Sequence, residues 1–100
     1  MITYQRLNEV LNYDKVTGDF TWIEALSSSA VIGRKAGGLN SGYWRITIDG
    51  YTYFAARLAI MYVTGKYPRG SFVKYRDGNH SNLSYNNLCI TAGSTSRIPQ

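Results

Sequence analysis

Val73-Lys74-Tyr75-Arg76-Asp77-Gly78-Asn79-His80-Ser81-Asn82-Leu83-Ser84-Tyr85-Asn86-Asn87-Leu88 is the stretch on which the reading of this chain turns. Phe72 to Tyr75 has the composition of a strand, and Asp77-Gly78-Asn79 signals a turn. An Asn- and Ser-rich loop follows, and Leu88 to Thr91 supplies a partner strand. The spacing suggests a catalytic loop held between two strands. Yet the strand enters that loop with Lys74 and Tyr75, residue types unsuited to the chemistry.

Upstream of this stretch, Leu58, Met61 and Tyr62 recur at helical spacing from Ala55 onward, with Ala59 and Val63 widening the apolar face. Gly65 stops that helix and Pro68 prevents its return. Before it, Gly42 to Ile48 alternates, with Tyr43, Arg45 and Thr47 on one face and Trp44, Ile46 and Ile48 on the other. Asp49-Gly50 is a type I′ turn signal, and Tyr51 to Phe54 is the return strand. Residues 24 to 42 read as loop, with room for a short strand at Val31-Ile32. At the start, Tyr4, Leu7, Val10 and Leu11 predict a helix over residues 3 to 12 capped by Thr3. A turn at Thr17-Gly18 then feeds a short strand with Phe20 and Trp22 on one face.

The expectation is one α+β domain over residues 1–100. Residues 1–23 form its N-terminal helix and short strand, 42–64 the hairpin and helix, 72–91 the loop unit, and 92–100 a loose tail. With 44% hydrophobic residues the chain can bury a core. Its longest apolar run falls short of the roughly 20 residues of a membrane span. Met1-Ile2-Thr3-Tyr4 does not open a secretory signal, so a cytosolic protein is expected. Cys89 is the single cysteine, expected as a small buried hydrophobe. The net charge of +5 is unevenly placed. Residues 1–33 set Arg6 and Lys15 against Glu9, Asp14, Asp19 and Glu24, a net −2. Residues 34–77 set Arg34, Lys35, Arg45, Arg57, Lys66, Arg69, Lys74 and Arg76 against Asp49 and Asp77, a net +6. A basic segment of this kind attracts a polyanion, nucleic acid being the usual one; solubility alone is the other reading.

Five segments, in order, resemble phage-type HNH homing endonucleases. These proteins commonly carry Tyr-Asp-x-x-Thr-Gly-x-Phe-x-Trp, matched from Tyr13 to Trp22, and a Gly-Tyr-x-x-Ile-x-Ile-Asp-Gly hairpin, similar to Gly42 through Gly50. An Ala-His-Arg-Leu-Ala helix and a Gly-x-x-Pro turn have counterparts at Ala55 to Ala59 and Gly65 to Pro68. The final Asp-His-Ile-Asn-Gly-Asn to Trp-Ser-Asn-Leu unit lies over Lys74 to Leu88. The resemblance implies a small HNH-like domain of ββα-metal type with a degenerate C-terminal loop.

It also implies which positions would do chemistry. The metal-binding Asp falls on Lys74, the general base on Tyr75, the helix His on Ala56 and the late metal ligand near Ser96. A lysine cation repels magnesium, and a phenol is protonated at neutral pH, so neither catalysis nor a bound metal or cofactor is expected. Asp77, Gly78 and Asn87 remain as structural loop residues, Asn87 at a position that braces the loop in the family. His80 and Asp77 are the displaced candidates for weak metal binding and residual endonuclease activity.

Arg34, Lys35, Tyr43, Arg45, Arg57, Lys74, Arg76 and His80 are the candidate binding residues. Arg57 is expected to point at a phosphate or to pair with Asp77. Lys74 beside Arg76 would hold a phosphate backbone without cutting it, unless the pair is simply exposed on a strand end. The functional expectation is a catalytically inactive HNH-like protein of a phage or mobile element that binds DNA. The alternative is a protein-binding inhibitor of a host defence complex, of anti-CRISPR or anti-restriction type, using Tyr51, Tyr53, Tyr67 and Tyr85 as interface aromatics.

Overall fold

Thr3 starts the first helix, its hydroxyl accepting from the Arg6 N–H at 3.0 Å. Helix α1 spans Tyr4–Val10 and buries Leu7 and Val10. It is shorter than the periodicity predicts, because Leu11 leaves helical geometry and opens a strand. A computed structural model describes residues 2–26, 31–68 and 70–91. The expected tail at 92–100, with Ser96, lies outside them.

The chain is α+β, with two α-helices and three small antiparallel sheets. Strands β1 (Leu11–Tyr13) and β2 (Phe20–Trp22) form the first sheet, pairing Leu11 with Trp22 and Tyr13 with Phe20. The predicted turn at Thr17-Gly18 joins them, tied by Gly18 N–H to Asp14 C=O at 2.7 Å. Both Phe20 and Trp22 are buried as expected.

Strands β3 (Gly38–Asn40), β4 (Tyr43–Ile48) and β5 (Tyr51–Phe54) make the second sheet in sequential order. The type I′ turn forms as predicted, with positive φ at Asp49 and Gly50. Its two-residue length sets the register, placing Arg45 opposite Phe54 and Ile46 opposite Tyr53. Val31-Ile32 is not a strand: both side chains are exposed, and the pairing in this region falls later. Ala36 N–H reaches Phe20 C=O at 2.8 Å, Lys35 bridges Thr21, and β3 follows. Buried Ala36 and the exposed but side-chain-free Gly37 are what let the chain run so close to β2 and β4.

Helix α2 (Ala55–Thr64) follows β5 without a loop and ends at Gly65. It buries Ala55, Ala56, Leu58, Ala59, Ile60 and Met61, while Val63, expected on the apolar face, is exposed. The third sheet pairs β6 (Phe72–Tyr75) with β7 (Leu88–Thr91), as predicted. Cys89, on β7, is only half-buried. Among the described residues no helix is long and apolar enough to cross a membrane.

One core joins these pieces: Leu7, Val10, Leu11, Phe20, Ile46, Ile48 and Leu58 are the largest fully buried side chains among the described residues. Each contributes about 1.5–3 kcal/mol by leaving water. Tyr62 of α2 meets Tyr13 and Phe20 edge-on, with ring centroids 5.7 and 6.5 Å away. The Tyr13 hydroxyl donates to the Leu83 carbonyl, and Tyr85 N–H donates to the Lys15 carbonyl at 2.9 Å. The β1–β2 turn is thereby seated on the loop of the third sheet. Burial raises the Tyr13 pKa far above its ordinary value, which keeps that hydroxyl a donor.

Gly18 is the point of closest approach. A Cβ there would stand 2.3 Å from the Ser84 nitrogen and 2.4 Å from the Leu83 carbonyl carbon, at a φ of +85°. Gly33 has nearly the same φ, +86°, but open space around it. Gly33→Ala is therefore expected to lose only the left-handed penalty of about 1–2 kcal/mol. Gly18→Ala is expected to lose clearly more, and the difference between their urea-unfolding free energies measures the seat.

Candidate functional site

The loop between β6 and β7 is built from its own Asx turns. Asp77 Oδ1 accepts from Asn79 N–H at 2.8 Å, Asn79 Oδ1 from Ser81 N–H at 3.0 Å, and Asn82 Oδ1 from Ser84 N–H at 3.2 Å. Asn87, 7% exposed, braces this ladder from inside. Its Oδ1 accepts from Asp77 N–H and its Nδ2 donates to the Asn82 carbonyl, both at 2.9 Å. Gly78 carries a positive φ in the turn, and its N–H donates to the Tyr75 carbonyl at 2.9 Å.

Successive residues of a strand point to opposite faces, so Lys74 and Tyr75 project from opposite sides of β6. Lys74 is exposed, whereas Tyr75 is half-buried in a groove of about 330 Å³. Tyr43 and Phe54 of the second sheet, Ala56 and Arg57 of α2, and Phe72 and Val73 of β6 complete its walls. The positions that the resemblance assigns to the loop base and the helix histidine, Tyr75 and Ala56, thus line one groove. Lys74, at the family's metal-binding position, lies outside it.

Rings dominate this place. His80 stacks on Tyr43 with centroids 4.4 Å apart and planes at 12°, and it lies 4.7 Å from the Tyr75 ring. The Gly42 carbonyl takes His80 Nδ1 at 3.2 Å. Tyr43 meets Phe54 edge-on at 5.6 Å, and the Arg45 guanidinium lies over Phe54 at 4.9 Å. Sequence reasoning singled out Tyr43, Arg45 and His80 but missed Phe54 and Phe72. The register of a two-residue turn, which puts Phe54 across from Arg45, carried the signal for the first.

This donor set does not fit the metal that the resemblance implies. Asp77 spends both carboxylate oxygens inside the loop, Oδ2 accepting from Asn82 Nδ2 at 2.8 Å. That bond, then the one from Asn79, holds its pKa below the ordinary 3.8. His80 is occupied by its ring stack and the Gly42 carbonyl. Among the described residues no three His, Cys, Asp or Glu side chains gather to hold an ion. Burial raises the Tyr75 phenol above its ordinary 10.0, outweighing the nearby Arg57 charge, so it stays protonated at neutral pH.

The cations divide into two kinds. Arg57 neither faces outward nor pairs with Asp77; it donates to the Pro68 and Ser71 carbonyls at 2.6 and 2.9 Å and ties down the turn after α2. Lys35 pairs with Asp19 at 3.2 Å and lies over Trp44. Arg45 is held by stacking, its buried Nε having no hydrogen-bond partner among the described residues. Arg34, Lys74 and Arg76 are exposed and, among the described residues, without an ion-pair partner.

No protein-family model, curated protein or solved structure matches this chain.

Asn87→Ala strands a loop N–H and a loop carbonyl, and is expected to cost about 2–4 kcal/mol in urea unfolding. Asn86→Ala, at an exposed neighbour, should stay within about 0.5 kcal/mol. Asp49, bonded by Arg6, is also held below 3.8. A carboxyl whose folded pKa is depressed stabilises the fold fully above its unfolded value and loses that contribution as pH falls through the folded one. The urea midpoint should therefore fall below about pH 4, and Asp77→Asn should flatten that decline.

Proposed function

We propose that this chain is a catalytically inactive HNH-like module that binds nucleic acid, DNA foremost. The observation that carries the reading is the groove at Tyr75 and Ala56. Where the resemblance places two histidines, there is a protonated phenol and a methyl group walled by aromatic rings. The order of hairpin, helix and a second hairpin closed over an Asn-braced loop supports the HNH-like part. The exposed cations Lys74, on the strand that forms one wall, and Arg76, just after it, support the binding part. They would grip phosphate oxygens by charge-assisted hydrogen bonds, and among the described residues no cluster of His, Cys, Asp or Glu gathers there to hold an ion that activates a water.

The alternative, a protein-binding inhibitor of a host defence complex, loses much of its footing. Tyr53 is buried against Tyr67, and Tyr67 and Tyr85 are half-buried. Of the four aromatics it relied on, only Tyr51 is exposed, at 64%.

Affinity for a labelled DNA should fall linearly with log salt, and Lys74→Ala and Arg76→Ala should each weaken it and lower the slope by about one. Plasmid incubated with magnesium or manganese should stay supercoiled. Nicking that disappears in His80→Ala would replace inactivity with displaced catalysis. Salt-insensitive capture of a host protein from nuclease-treated lysate, with no affinity for DNA, would favour the inhibitor.

A further inference from the structure

Resting on that reading, we infer that the nucleic acid this module prefers is single-stranded, and that its bases stack on the Tyr43, Phe54 and Phe72 rings at the groove. Tyr43 is 36% exposed, Phe54 40% and Phe72 59%, so three large rings of one groove face water. The site cannot be explained as phosphate contact alone. A duplex hides the faces of its bases and offers the protein phosphates and groove edges. Against such a partner the rings gain little, while a single strand presents a π-face at every nucleotide.

The arrangement suits stacking in three respects. Tyr43 and Phe54 meet edge to face at 77°, so the two rings are not stacked flat on each other. The planar Arg45 guanidinium lies over Phe54 beside the groove, and its buried Nε donates to no partner among the described residues, so a cation stacks on the ring. His80, pressed flat on Tyr43 and fixed by the Gly42 carbonyl, holds that ring in place from the loop side. A groove of about 330 Å³ is at the small end of ligand sites, enough for planar groups entering edge-first. Charge selects the occupant: Lys74 on β6, the strand that supplies Phe72, and Arg76 just after it are exposed and, among the described residues, without an ion-pair partner. A strand whose phosphates meet those two cations can turn its bases toward the rings.

Fluorescence anisotropy with a labelled oligothymidylate of about 12 nucleotides and a duplex of the same length tests this directly. The single strand is expected to bind at least about tenfold more tightly. Phe72→Ala and Phe54→Ala are each expected to weaken it by about fivefold to a hundredfold and to narrow the gap to the duplex. Phe72→Tyr and Phe54→Tyr, which keep a ring, should retain the preference. Circular dichroism and the thermal midpoint check the fold of each variant, and Phe72, the most exposed ring, is the one least able to disturb it. Duplex binding as tight as single-strand binding, with silent ring variants, overturns stacking and leaves nucleic-acid binding standing. Failure to bind either nucleic acid at low salt overturns both.

Discussion

The turn between the first two strands, seated against Leu83 and Ser84, is the constraint on which the remaining architecture depends. The third sheet is only two short strands, too little to hold a loop of about a dozen residues by itself. The loop gains its shape from within, through the Asn and Asp ladder, and its position from without, through Tyr13, Lys15 and Gly18. The Tyr-Asp-x-x-Thr-Gly-x-Phe-x-Trp segment makes sense in these terms. Tyrosine supplies the hydroxyl that reaches Leu83, Asp14 closes the turn, glycine permits backbone-to-backbone approach, and the two aromatics anchor the hairpin in the core.

That seat also explains why a groove exists beside Tyr75. Holding the loop over Gly42 lets His80 stack on Tyr43, and this joins the second sheet to the third across the mouth of the groove. Arg57 does the corresponding work on the other side, fixing the turn after α2 through two backbone carbonyls. A charged side chain tied in this way has fewer donors left for a ligand, which is why the number of cations in the sequence overstates the charge offered to a partner. Lys35 and Arg57 are largely internal affairs, whereas Lys74 and Arg76 are not.

Much of the fold was readable in the residues because its signals are local. Thr3 as a cap, the Asp49-Gly50 turn, the alternation from Tyr43 to Ile48 and the stop at Gly65 each rest on near neighbours. What was not readable depended on distant partners. Ala36 and β3 are set by β2 and β4, and no periodicity within residues 24–42 announces them. The site was readable by position but not by direction. The resemblance lays the metal-ligand and general-base positions on neighbouring Lys74 and Tyr75, and the pleat of β6 turns them to opposite faces. Tyr53 and Val63 failed for a similar reason: a tyrosine and a valine say nothing of which face a neighbouring element will cover.

The contact between Gly18 and Ser84 joins segments 66 residues apart, and this has a kinetic meaning. Such a closure carries a large loop entropy that is recovered only once both partners are present. During synthesis the Tyr13 hydroxyl, the Lys15 carbonyl and Gly18 must wait for these partners until Leu83 to Tyr85 have been made. The final assembly of this protein is therefore a late, cooperative event, and the interval before it is when the chain is most exposed to clumping and to proteases.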